Sequence, residues 1–527
     1  KQLALAKGEA LMIRRLLLRS ALSVGLMVVC LAPAPGQDAA QVLRVSVGFG
    51  TLKNTTTIMA RLTPEARTEV DRLEKLARTA NAEGKYGDAL KHMYHAMALI
   101  RGTEWTPLRA LGSAVTVKLD RLILDPGDSV VVKIGQLFSL DAKPSGKLGA
   151  SISLLRTKGD DMVQELKTVN ALDPDFIANP FSAQVAMPEV ETGNYRIAVQ
   201  LKPESGDPII KLTTVHIERG LAVAFAAAKS RAAKVEATLK QKGRDPLLAV
   251  LPTAEYRVSQ FELGRTGEIS IDRVDFRDTL KEANSILAEL SAGNDPFAKR
   301  RGEFKKAYLS RVDNTLQPYQ VFVPTGYDAS KPVPLVIALH GMGGAENSYL
   351  TVYGQDAFKA EADKRGYIVA CPTGRKPASM YVGDAEKDVM DVVAEVRRAY
   401  NIDADRIYLT GHSMGGFGTW SIAMNHPEVF AALAPVAGGS NNPASMSKIA
   451  HIPQIVVHGD KDATVPVERS RLMVEMAKKL GAEIKYIEVS GGDHANIVAP
   501  SFPAVFDWFD GHKRNSAGAA AGAGSKN

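Results

Sequence analysis

The sequence predicts an α/β fold over residues 305–513, a mostly parallel sheet covered by helices. Three observations carry this expectation. Apolar runs of strand length recur at 333–339 (VPLVIAL), 366–372 (GYIVACP), 406–410 (RIYLT), the start of 454–462 (QIVVHGDKD) and 483–489 (EIKYIEV). A helical pattern, EKDVMDVVAEVRRAYN, separates two of them and places Val389, Val392, Val393 and Val396 inward. Glycine-rich loops (HGMGG, GHSMGG, SGGDHAN) follow the strands, and sites form in the loops at the carboxyl ends of parallel strands.

The chain has 527 residues, too many for one core, so roughly two to four domains are expected. Its 45% hydrophobic and 23% charged residues are those of ordinary globular protein. Residues 1–36 hold five of the 65 basic residues and one of the 58 acidic ones, so the remainder is nearly balanced. No basic stripe with interleaved aromatics occurs, which argues against nucleic acid as a partner. From Met12 the order is basic (MIRRLLLRS), apolar (ALSVGLMVVCLA), then small (PAPGQDAA), the order of an export signal. Pro35 blocks cleavage after Ala34, so the cut is expected after Gly36. The apolar stretch is short of the roughly 20 residues a spanning helix needs. A secreted or periplasmic protein with no membrane span after signal removal is therefore expected. Cys30 and Cys371 are the two cysteines, and loss of Cys30 with the signal leaves no intrachain disulfide.

The part before residue 305 reads as three pieces. Residues 37–110 carry a helical hairpin: Thr63 caps, Pro64 takes the first helical position, and Leu73, Leu76, Ala77 and Ala80 share a face. Ala80, Gly84, Tyr86, Ala89 and Ala96 follow the small-residue spacing of one tetratricopeptide unit. Residues 111–218 change period. AVTVKLDRLIL, DSVVVKIGQLF, ASISLLRT and NYRIAVQLKP read as strands, with Tyr195, Ile197, Val199 and Leu201 on one face. Several short strands in about a hundred residues suit an immunoglobulin-like β-sandwich. Residues 219–304 return to helix and are expected as a connector. Residues 514–527, SAGAAAGAGSKN among them, hold no core-forming side chains and are expected as a flexible tail.

The chemistry is expected in the 305–513 segment. Gly411-x-Ser413-x-Gly415 stands between a strand and the helical run FGTWSIAMNHP, the context of a nucleophile elbow. A serine hydroxyl needs a base and an orienting acid. Of the histidines after Ser413, His494 alone lies in a glycine-rich loop beyond the last strand; His426, His451, His458 and His512 lie in or beside regular elements. Asp462 and Asp460 share the loop after QIVVHG; Asp462 is preferred as the acid and Asp460 shapes the turn. Asp493, adjacent to His494, diverges from it. Oxyanion donors are expected at the backbone N–H of Met414 and of Met342 in HGMGG, with His340 shaping that loop. No H-E-x-x-H or paired-cysteine motif occurs, and no metal or cofactor is expected.

YQVFVPTGYDASKPVPLVIALHGMGG, NIDADRIYLTGHSMGGFGTW, HGDKDATVP and GGDHA together resemble the secreted α/β-hydrolase esterases. The resemblance is to the feruloyl-esterase and polyhydroxybutyrate-depolymerase-like groups, which border the prolyl oligopeptidase catalytic domain. It covers residues 305–513 and implies a Ser413–His494–Asp462 triad, an acyl-enzyme, and a small-molecule or polymeric ester as substrate. Two departures bear on substrate: 373–388 lacks tryptophan, and no long apolar insertion of the lipase type stands between elbow and acid. The alternatives are a serine peptidase of prolyl oligopeptidase type and a binding or scaffold protein with a decayed hydrolase.

Overall fold

The computed structural model describes residues 39–375 and 379–514. The expected export signal (12–36) and the tail from 515 lie outside the described residues. The described chain forms two compact units, one of residues up to 227 with 259–280, the other of 228–258 with residues from 281 onward.

In the first unit, a helix over Ala39–Asn54 precedes the pair Pro64–Ala82 and Tyr86–Ile100. Thr63 Oγ1 accepts the Ala66 N–H at 3.2 Å, and Pro64 occupies a position whose amide would have no helical partner. Gly84, at φ 73°, turns the chain between the two helices. Ala77 and Ala80 pack with Ala89, Leu90 and Met93. The strands are β1 (Val115–Leu119), β2 (Ile123–Leu124), β3 (Ser129–Gln136), β4 (Leu148–Arg156), β5 (Met162–Leu172), β6 (Phe181–Ala186), β7 (Gly193–Lys202) and β8 (Ile209–Ile217). They make two sheets, β1-β3-β6 and β2-β8-β7-β4-β5, antiparallel except for the short β2–β8 pair. Val130, Val132 and Ile134 of β3 share a core with Ile152 and Leu154 of β4 and Ile197, Val199 and Leu201 of β7.

The second unit is built on β9 (Gly302–Leu309), β10 (Leu316–Val323), β11 (Val333–Leu339), β12 (Ile368–Pro372), β13 (Ile402–His412), β14 (Ala432–Val436), β15 (Gln454–Gly459) and β16 (Ile484–Val489). The sheet order is β16-β15-β14-β13-β11-β12-β10-β9. The pairs β9–β10 and β10–β12 are antiparallel and the rest parallel. This is the α/β-hydrolase order. From β11 the chain moves outward to β12, then returns to place β13 on the other side of β11, so the order reverses between β11 and β13. Such a switch point opens a crevice at the strand ends.

Both faces of the sheet are covered. Leu335, Ile337 and Leu339 of β11 join Val389, Val392, Val393 and Val396 of the helix Asp384–Ala399 on one face. Val336 and Ala338 join Phe358, Phe502, Phe506 and Phe509 on the other. Trp420 is wholly buried, and its indole N–H donates to Gln454 Oε1 at 2.9 Å.

The boundary expected at 305 differs from the unit. The helices Leu221–Gln241, Leu251–Thr266 and Phe276–Ala292 are divided between the two units. Ala232, Val235, Leu239, Ala254, Ile286, Leu287 and Leu290 belong to the same core as Leu335 and Ile337. An amphipathic pattern shows that a helix has a buried face, not which sheet buries it.

One charge is sealed into this core. Lys306 of β9 is 3% exposed, its ammonium 5.3 Å from the Phe297 ring centre and 5.7 Å from that of Tyr400. Burial pushes it down from 10.5 to about 8. A depressed folded value means stability is present above pH 10.5 and lost as pH falls through 8. Lys306→Met is therefore expected to raise the melting temperature by several degrees at about pH 7. The gain is expected to shrink as pH rises toward about 10 in a thermal melting series.

Candidate active site

Ser413 directly follows β13 and caps the helix Met414–Asn425, at φ 56° and ψ −117°. A non-glycine residue holds this conformation only where its surroundings over-determine it. Ser413 N–H donates to Val436 O at 2.9 Å, and Ser413 O accepts from Phe417 N at 3.0 Å. The flanking glycines are required by close approach. A Cβ on Gly411 would lie 2.2 Å from Gly415 O, and one on Gly415 would lie 2.0 Å from Leu339 O. The helix start directs its free N–H groups and partial positive charge at the region of the serine.

The three residues expected to work together are brought together. His494 Nε2 lies 2.9 Å from Ser413 Oγ, and His494 Nδ1 lies 2.7 Å from Asp462 Oδ2. Asp462 Oδ1 accepts the N–H groups of Thr464 and Val465, each at 2.8 Å. Burial pushes the Asp462 carboxyl up, but hydrogen bonds from His458, His494 and the Val465 N–H outweigh this and hold it well below the usual range. It is therefore an anion at neutral pH, an acceptor that fixes the N–H tautomer of His494. Asp460 Oδ1 accepts Gly491 N–H at 2.7 Å and so ties the acid loop to the histidine loop. Asp493 is turned to its own loop, accepting the N–H groups of Ala495 and Asn496 at 2.8 Å.

The HGMGG loop leaves β11 beside the elbow, with Leu339 in register with Gly411. A Cβ on Gly341 would lie 3.4 Å from Ser413 Cβ. His340 N–H donates to Tyr381 Oη at 3.1 Å and Gly341 N–H to Tyr353 Oη at 3.0 Å. Met342 comes next along this loop, its side chain exposed, while the Met414 side chain is buried. Both ring nitrogens of His340 rest against main-chain carbonyls, Gly341 O at 2.8 Å and Thr373 O at 2.6 Å, so this ring has no free nitrogen for a reacting group. Beside the elbow helix lies a groove of about 180 Å³, floored by Met380, Phe417 and Met424 and rimmed by Ser440, Asn441 and Asn442.

Two histidines outside the expected set stand behind the triad. His412 Nε2–H donates to His494 O at 2.7 Å, and the two rings lie 4.8 Å apart. His458 Nε2 is 3.2 Å from Asp462 Oδ2. The visible clue to His458 is its place four residues before Asp462; His412 is marked only by its position next to Ser413.

Burial, and secondarily His494, push His412 down from 6.5 to about 4. Its contribution to stability is thus full above pH 6.5 and lost as pH falls through 4, on the order of 3 kcal/mol in all. Urea unfolding across this window is expected to show a shallower loss for His412→Gln than for the parent chain.

Residues 381–452 match the prolyl oligopeptidase family (Peptidase S9). Feruloyl esterase B of Talaromyces stipitatus is 31% identical over 180 residues, 28% of this chain and 49% of that protein. The bifunctional acetylxylan esterase/xylanase XynS20E of Neocallimastix patriciarum is 34% identical over 132 residues, 24% of this chain and 19% of that protein. A probable feruloyl esterase C of Aspergillus terreus is 27% identical over 35% of this chain and 65% of its own length. The chain thus spans half or less of the first curated relatives it matches. A solved thermostable esterase, 18% identical, aligns with 76% of this chain and all of its own at a TM-score of 0.38. Strand order and sequence relationship lead to one statement: the second unit has the α/β-hydrolase fold, and over the matched segments it is similar to named esterases and to the prolyl oligopeptidase family.

Proposed function

We propose that this chain is an exported serine hydrolase that cleaves short-chain or polymer-linked carboxylic esters through an acyl-enzyme on Ser413. The observation that carries the reading is the continuous hydrogen-bonded line from Ser413 Oγ through His494 to Asp462, at a strained turn on a central strand. His494 Nε2 takes the Ser413 proton as Oγ attacks the ester carbonyl. Asp462 holds the Nδ1–H and stabilises the imidazolium that forms. The N–H groups of Met414 and Met342 receive the oxyanion. His494 then gives its proton to the departing alcohol, and water repeats the sequence to release the acid. No step calls on a metal or cofactor.

Ester chemistry is favoured because the relatives matched over this segment are named feruloyl and acetylxylan esterases. The lack of tryptophan in 373–388 favours short acyl groups over aromatic ones. The match to the prolyl oligopeptidase family over 381–452 favours a second reading, a serine peptidase. Hydrogen-bond distances of 2.7 and 2.9 Å argue against a decayed site in a scaffold protein. Export rests on residues 12–36. The immunoglobulin-like reading of the first unit is supported by its two sheets and by Tyr195 Oη, which donates back to Glu191 O at 2.9 Å in the manner of a tyrosine corner. Its role is that of a spacer, and the single hairpin before it that of a lone tetratricopeptide-like unit.

The test is turnover of p-nitrophenyl acetate and butyrate beside a peptide p-nitroanilide, by the chain from residue 37 and by its Ser413→Ala variant. Ester turnover is expected to exceed anilide turnover. In Ser413→Ala it is expected to fall by about a thousand-fold or more, with loss of fluorophosphonate labelling. Faster anilide cleavage would establish the peptidase reading, and unchanged ester turnover in the variant would return the chain to the scaffold reading.

A further inference from the structure

Asp462 is shared. Its Oδ2 lies 2.7 Å from His494 Nδ1 and 3.2 Å from His458 Nε2. The side chains of His458 and Asp462 are both wholly buried. His458 Nε2 also lies 2.9 Å from Val465 O. A ring nitrogen set between two acceptor oxygens carries the hydrogen, so the His458 N–H is bonded to Val465 O and also faces the Asp462 carboxylate. Its far nitrogen, Nδ1, is 2.7 Å from Ser470 Oγ. Ser470 is itself buried, on the helix Glu468–Lys479, and its hydroxyl also lies 3.1 Å from Gly438 O. A histidine held on both sides is placed more tightly than packing alone demands.

We propose that His458 is a positioning residue for the Ser413–His494–Asp462 reaction, a second histidine that shares the triad carboxylate and sets how strongly Asp462 holds the proton on His494. The inference rests on the triad reading above. The argument is one of competition. The polar N–H that His458 turns to Oδ2 at 3.2 Å draws negative charge from it and weakens its pull on His494 Nδ1–H. Without that donor the carboxylate becomes more basic, the imidazolium of His494 is better stabilised, and the free base is available only at higher pH. Ser470 Oγ, tied to Gly438 O and 2.7 Å from Nδ1, holds the ring with its Nε2 edge toward the carboxylate and so acts in the same direction. The other ionisable groups around this pair are few. His412 of β13 and Asp493 of the histidine loop lie toward Asp462 and His494. Glu488 at the end of β16 lies toward His458, its carboxylate held by Arg471 and Tyr486.

The readout is the acid limb of kcat/KM for p-nitrophenyl butyrate, with the full chain. His458→Leu is expected to move that limb to higher pH by about half to one unit, a fraction of the worth of one hydrogen bond at a carboxylate. His458→Gln, which restores an N–H donor, is expected to bring it back toward the parent value. Ser470→Ala, a small change that keeps the histidine, is expected to move it the same way by a smaller amount. A residue that only packs would change the height of the profile and leave its limb in place. Folded His458→Leu and Ser470→Ala with unmoved limbs overturn the proposal. Should His458→Leu not fold, an unmoved limb in Ser470→Ala overturns it by itself. Such a result together with Ser413→Ala inactivity would leave the triad standing, whereas ester turnover surviving in Ser413→Ala would remove the triad as well.

Discussion

The constraint on which the second unit depends is the crossing of three backbones at the elbow. Gly411 at the end of β13, Gly415 in the first turn of the next helix and the carbonyl of Leu339 on β11 lie so close that a methyl group on either glycine would sit about 2 Å from an oxygen. That contact leaves the chain between them one path, which carries Ser413 into a positive φ. It costs of order 1–3 kcal/mol by the usual scale for such backbones. The surrounding sheet, buried on both faces, supplies the rigidity that holds it. The position of the serine is thus set by main chain and packing rather than by any bond its own hydroxyl makes.

The electrostatics are arranged around one anion. Asp462 is buried, yet it accepts two main-chain N–H groups and faces two imidazoles, so the desolvation it suffers is offset by donors on every side. His412 completes the enclosure from β13 by fixing the main chain of His494. The loops that carry acid and base come from different strands, and the Asp460–Gly491 bond joins them at their outer edge. His494 placed in this way meets Ser413 without large motion, the condition under which proximity would help the proposed acyl transfer.

Much of the hydrolase sheet was legible because a parallel sheet buried on both faces is written as uninterrupted apolar runs. Val333–Leu339, Ile368–Pro372 and Gln454–Gly459 are of this kind. β14 was not singled out: Ala-Leu-Ala-Pro-Val has a single β-branched residue and a proline. β5 was missed for another reason, since nearly all of it is exposed or half-exposed and its apolar residues do not alternate. Ser413, His494 and Asp462 could be picked out because each sits in a loop with a glycine signature. His412 and His458 could not, because each lies within a strand, and a strand histidine reads as an ordinary core residue until the loop it touches is folded against it.

The division of the helices between Leu221 and Ala292 has a consequence for how this gene can be cut. A cassette beginning at residue 305 would carry Ser413, His494, Asp462 and every parallel strand of the eight-stranded sheet, and would leave behind Leu239, Ala254, Leu287 and Leu290 from its own interior. The hydrolase is discontinuous in sequence: its N-terminal wall is threaded through the same helices that belong in part to the β-rich unit. Shuffling, fusion or truncation at the motif boundary would therefore open the core rather than free a module. The heritable piece is longer than the chemistry that marks it.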